Sequence, residues 1–72
     1  MINNTNIRVP KKYVERIKEI FHDDDGYWAY TNHGWRNGDD YALHVIHEYT
    51  QAELLQQIKW TEPCDCDRCR GK

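Results

Sequence analysis

The stretch Gly26–Thr50, GYWAYTNHGWRNGDDYALHVIHEYT, sets the expectation for the fold. It holds two of the three Trp, four of the five Tyr and three of the four His. Two runs rich in β-branched and aromatic residues, Tyr27–Thr31 and Tyr41–Tyr49, flank a loop that contains Asn37 and Gly38. Such residues fit a pleated, half-buried surface, and a Gly/Asn/Asp-rich segment between two such runs supplies turn geometry. The pattern predicts an antiparallel hairpin. Alternation sends Tyr27, Ala29 and Thr31 to one face of the first strand and Trp28 and Tyr30 to the other. On the second strand Leu43 and Val45 are expected to face the core. The opposite face keeps Ile46 and a set of rings, for a second helix, a second copy of the chain or a target protein to cover, because a bare hairpin is marginal in water.

Upstream, Pro10 stands where a helix tolerates proline, and Tyr13, Val14, Ile17, Ile20 and Phe21 follow at helical spacing. This predicts an amphipathic helix from Pro10 to near His22, stopped by the acidic run Asp23, Asp24, Asp25 and by Gly26. Downstream, Thr50 and Glu53 form a capping box, so a second helix should start there, carry Ala52, Leu54, Leu55 and Ile58 inward, and end before Pro63. One helix from Ala42 to Trp60 is the alternative, since Leu43, Ile46 and Tyr49 also suit helical spacing. The expected fold is therefore α+β, a small single domain in the order α-β-β-α, with two helices on an antiparallel hairpin or small sheet. Residues 1–9 form a flexible lead, 10–60 the core and 61–72 a Cys-rich tail.

At 72 residues and 8.7 kDa the chain has room for one thin core and little room for an enclosed active site. No apolar export segment or membrane span is visible, and three cysteines crowded into Cys64–Cys69 make a poor disulfide framework, which together suggest a cytoplasmic, reducing setting. The net charge of −2 hides an uneven layout. Residues 1–22 carry five basic and two acidic side chains, 23–57 carry seven acidic and one basic, and the remainder four basic and three acidic. An acidic middle attracts basic partners and repels phosphate backbones.

Cys64, Cys66 and Cys69 are the candidate metal ligands: three thiols within six residues can reach one tetrahedral ion, and zinc accepts Cys3His when a histidine joins from elsewhere. His22, His33, His44 and His47 are the available fourth ligands. An exposed reduced tail with incidental thiols is the plainer alternative, and a redox pair a third. The Asp23–Gly26 run is no calcium loop, because placing Gly26 at the sixth position puts Phe21 and Asn32 at the two key ligand positions. His44 and His47, three apart, would point to opposite faces of a strand. No phosphate loop, nucleophile elbow or HExxH motif occurs, and no residue is assigned to catalysis.

These features favour a non-enzymatic interaction module, an inhibitor or adaptor that binds the basic surface of a protein partner through an acidic, aromatic hairpin. Asp23, Asp24, Asp25, Trp28, Trp35, Arg36, Asp39 and Asp40 are its candidate partner-binding residues. Small acidic proteins of this size, phage-encoded inhibitors among them, block nucleic-acid-handling machinery by presenting phosphate-like charge; the likeness is one of size and charge. A zinc-dependent nucleic-acid-binding module using the tail with Arg68, Arg70 and Lys72 is the alternative, and a small hydrolase the third reading. The acidic middle counts against nucleic acid.

Overall fold

The computed structural model describes residues 1–38, 44–66 and 69. Among them the chain runs β1 (Ile2–Asn3), α1 (Lys11–Val14), β2 (Ile17–Asp23), β3 (Gly26–Thr31), β4 (Trp35–Asn37), β5 (Val45–Glu48), α2 (Gln51–Ile58) and β6 (Thr61–Pro63). β1, β2, β3 and β5 form one sheet in that spatial order, and β4 pairs with β6 in a second. β1 lies parallel to β2, and the other pairings are antiparallel. The α-β-β-α expectation is thus corrected: the described residues are mostly sheet, six strands in two sheets, with one short helix besides the single turn of α1.

The error has a physical origin in β2. Its pairing with β3 shifts between Ile17 and Glu19, so Lys18 is an extra residue in the ladder. Ile17 opposite Thr31 and Ile20 opposite Ala29 therefore face the same side although they are three residues apart. A regular strand forbids that spacing and a helix produces it, so a bulged strand imitated a helical stripe. The β-branched and aromatic residues of this segment suit a strand equally well. Asp24 and Asp25 then form the turn between β2 and β3, where a helix stop was expected. Gly26, at φ +127°, closes that turn; a Cβ there would sit 2.6 Å from the Glu48 carbonyl oxygen, so only glycine lets β5 approach.

The expected hairpin exists in part. β3 pairs with β5 from Tyr27 opposite Glu48 to Tyr30 opposite Val45, while the expected strand residues Tyr41–Leu43 lie outside the described residues. Its facing is reversed at Val45: Ile46, opposite Ala29, is buried, and Val45 and His47 share the outer face with Tyr30 and Trp28. Asn37, expected in a loop, ends β4 and is buried, its amide donating to the Gln57 carbonyl and side-chain oxygens at 3.0 and 3.1 Å. That satisfies part of the C-terminal end of α2.

α2 starts where the capping box placed it. Thr50 Oγ1 accepts from the Glu53 amide at 3.1 Å, and its hydroxyl donates to the Glu53 carboxylate at 2.9 Å. Leu54 and Ile58 are fully buried against Ile17, Ile20, Ala29 and Ile46, with Leu55, Val9, Tyr13 and Tyr27 packed around them. The helix thus covers the inner face of the larger sheet. The ends of the chain also contribute: Ile2 and Asn3 pair with Glu19 and Ile20, Ile7 is buried in the core, and Thr61–Pro63 pair with β4. Arg16 ties the sheets together, donating to the Thr61 carbonyl at 3.0 Å while its guanidinium lies 4.2 Å from the Trp35 ring centre.

Candidate metal centre

The ends of both sheets meet at one place. β3 ends at Thr31, β4 begins at Trp35, β5 begins just after His44, and β6 runs into Cys64. The Thr31 amide donates to the His44 carbonyl at 3.0 Å, extending the β3–β5 ladder to the histidine. The Cys64 amide donates to the Gly34 carbonyl at 2.8 Å and fixes the first cysteine against the turn before β4. Beyond it the Cys69 amide donates to the Cys66 carbonyl at 2.9 Å, which ties the last two cysteines to each other.

These constraints bring the Sγ atoms of Cys64, Cys66 and Cys69 to 3.9, 3.5 and 3.8 Å from His44 Nε2. All four donor atoms lie within 4.8 Å of one another. One imidazole nitrogen has one lone pair, so three thiols cannot all be donating to it. The four donors could hold a tetrahedral ion such as zinc. With zinc–sulfur bonds of about 2.3 Å and a zinc–nitrogen bond of about 2.05 Å, tetrahedral angles separate sulfur from nitrogen by about 3.6 Å. Three soft thiolates and one imidazole are a donor set that structural zinc sites use.

The imidazole is already oriented for this. His44 Nδ1 lies 3.1 Å from the Trp35 carbonyl oxygen and 3.1 Å from Thr31 Oγ1. A carbonyl can only accept, so Nδ1 donates to it, and Nε2 faces the sulfurs, where it can donate to a thiolate or, once deprotonated, hold an ion. Outer partners of this kind fix the tautomer and ring angle of metal-bound histidines.

The thiols are differentiated. Cys66 is lowered to about 6, first by its contact with His44, then by the Cys69 backbone N–H and by Cys64. For Cys64 the Cys66 backbone N–H is the largest influence and pulls downward, but burial and the neighbouring Cys66 and Cys69 sulfurs outweigh it and raise the thiol. A thiolate is therefore ready at Cys66, and a cation would draw the remaining protons off. All three cysteines are free of disulfides.

The three cysteines expected as ligands are brought together, and His44 is the histidine that joins them, whereas His47 points to the outer sheet face and bonds the Asp25 carbonyl at 2.7 Å. The residues expected to bind a partner are divided. Asp23, Asp24, Asp25 and Trp28 line one cavity. Trp35 and Arg36 lie apart from it on β4, the first under Arg16 and the second in an ion pair with Glu62 at 3.0 Å. Asp39 and Asp40, like Arg68, Arg70 and Lys72, fall outside the described residues. Thr31 and Arg16 were not singled out from the sequence; no local spacing marks either. Comparison with protein-family models, with curated proteins and with solved structures returned no match. Among the described residues no helix is long and apolar enough to cross a membrane.

Proposed function

We propose that this chain is a small non-enzymatic interaction module, closed by a structural zinc ion held by His44, Cys64, Cys66 and Cys69. The observation that carries the reading is the convergence of four donor atoms within 4.8 Å, with the histidine's second nitrogen already engaged. Zinc suits a Cys3His set, and a site filled by four protein ligands stabilises a fold and leaves no open position for chemistry. The fold has use for such an ion. Among the described residues the core cluster is seven residues, Ile7 to Ile58, and small cores commonly need a metal or disulfides to persist. Free thiols and a zinc centre suit the reducing cytoplasm. The acidic middle of the chain favours a protein partner with a basic surface over a phosphate backbone.

The test is metal analysis of the full chain purified under reducing conditions. One zinc per chain is expected, and replacement by cobalt should give the intense visible bands and thiolate charge-transfer absorption of a tetrahedral Cys3His site. Cys66→Ser and His44→Ala should weaken both. A full chain that folds cooperatively without metal and gives no such spectrum would overturn the metal reading.

A further inference from the structure

The outer face of the larger sheet carries a continuous run of rings. Tyr30 tilts against Phe21, with centroids 5.5 Å apart; Phe21 stacks with Trp28 at 6.1 Å, and Trp28 stacks on His47 at 4.1 Å. Tyr49 meets the edge of His47 at 5.0 Å and is 74% exposed. The inner face has α2 over it, and Tyr13 of α1 packs on the same core; among the described residues neither helix lies on the outer face. The run is held in place rather than loose. Trp28 Nε1 donates to Asp23 Oδ1 at 2.9 Å, and His47 Nε2 bonds the Asp25 carbonyl.

At the Tyr49 end the rings open into a cavity of about 580 Å³ that Asp23, Asp24, Asp25, Trp28, His47 and Tyr49 help to line. No lysine or arginine lines it, and all three aspartates are exposed. Aromatic faces beside carboxylates suit a delocalised planar cation, which can stack on one and pair bidentately with the other. The chain uses the stacking half of this arrangement within itself, where the Arg16 guanidinium lies over Trp35. The acidic rim equally disfavours nucleic acid and anionic lipid.

We propose that this trough docks an arginine-bearing, basic segment of a partner protein, the guanidinium entering between the ring faces and the Asp24 and Asp25 carboxylates. The proposal rests on the reading of the chain as an interaction module and is independent of the metal, since the trough and the metal centre share no residue. Arginine is favoured over lysine because a point-like ammonium stacks less well and keeps its water.

The experiment uses the metal-loaded full chain and a fluorescently labelled peptide of alternating arginine and glycine, with lysine and glutamate counterparts, read by anisotropy. The arginine peptide should bind, the lysine peptide several-fold more weakly and the glutamate peptide not at all, with affinity falling as salt rises. Asp24→Lys should weaken arginine-peptide binding about tenfold. Glu15→Lys, an equal charge change on an exposed residue outside the trough, should have a much smaller effect. Tyr49→Ala, at an exposed ring, should also weaken binding without unfolding the chain. Equal losses from Asp24→Lys and Glu15→Lys would overturn the trough as the site while leaving an interaction module standing. Absence of binding by every peptide, together with a concentration-dependent dimer that Tyr49→Ala disrupts, would overturn the proposal in favour of self-association.

Discussion

Replacing Thr31 by valine isolates the contribution of the group behind His44, the histidine of the proposed metal centre. Thr31 is 7% exposed, and its hydroxyl lies 3.1 Å from His44 Nδ1, which is equally close to the Trp35 carbonyl. Valine keeps the shape and removes one of the two outer partners; the backbone carbonyl still holds the proton on Nδ1. Loss of outer-shell partners typically lowers metal affinity by about 10- to 100-fold. With the stronger constraint retained, the lower end applies, about tenfold or about 1.4 kcal/mol. The assay is a competition titration of zinc against a chromophoric chelator. Thr61→Val is its control, because Thr61 is also buried but bonds the Ile58 carbonyl and Arg16 instead of the metal centre. The control should lower thermal stability and leave zinc affinity unchanged. If Thr31→Val binds zinc as tightly as the parent, or if both variants lose affinity equally, the hydroxyl does not position the imidazole.

Ile20→Ala should destabilise the domain by about 2–5 kcal/mol, since the side chain is fully buried under α2, whereas half-buried Phe21→Ala on the outer face should lose clearly less; chemical denaturation of both distinguishes a strand from a helical stripe, on which the two would be neighbours. Thr50→Ala should cost about 0.5–2 kcal/mol through loss of the cap, read as a lowered denaturation midpoint with an unchanged slope. Zinc affinity should fall as pH drops through about 6, where Cys66 regains its proton, and rise above it. The sign follows from a thiol lowered below its ordinary value, whose thiolate favours the folded, metal-binding form at high pH and loses that advantage on acidification; chelator competition across pH measures it.

The parts of the fold that were legible in the sequence are those fixed by local chemistry. Thr50 and Glu53 announce the start of α2 because an N-cap is a contact between near neighbours. Tyr27–Thr31 alternates as a half-buried strand does, and it is one. The first helix misled because one extra residue at Lys18 turns a period of two into a spacing of three, and nothing within the segment reveals a bulge whose cause is the partner strand. β4 was read as a loop because Trp35–Asn37 is only three residues long and its partner, Thr61–Pro63, lies past α2. For the site, the cysteines were visible from their crowding. The choice of His44 was not, because it stands 20 residues before Cys64 and is selected by the Thr31 and Trp35 backbone geometry at the ends of two sheets. Of the residues expected to bind a partner, Asp23, Asp24, Asp25 and Trp28 line one cavity, to which the β3–β5 register adds His47, while the β4–β6 pairing holds Trp35 and Arg36 in another sheet, a separation no local spacing reveals.

X-ray absorption at the zinc edge of the full chain tests the central claim most directly, because it counts and types the atoms bound to the metal. The account predicts three sulfurs at about 2.3 Å and one nitrogen at about 2.0–2.1 Å, with outer-shell scattering from a single imidazole that disappears in His44→Ala. A shell dominated by oxygen or nitrogen, or imidazole scattering that survives His44→Ala, would contradict it.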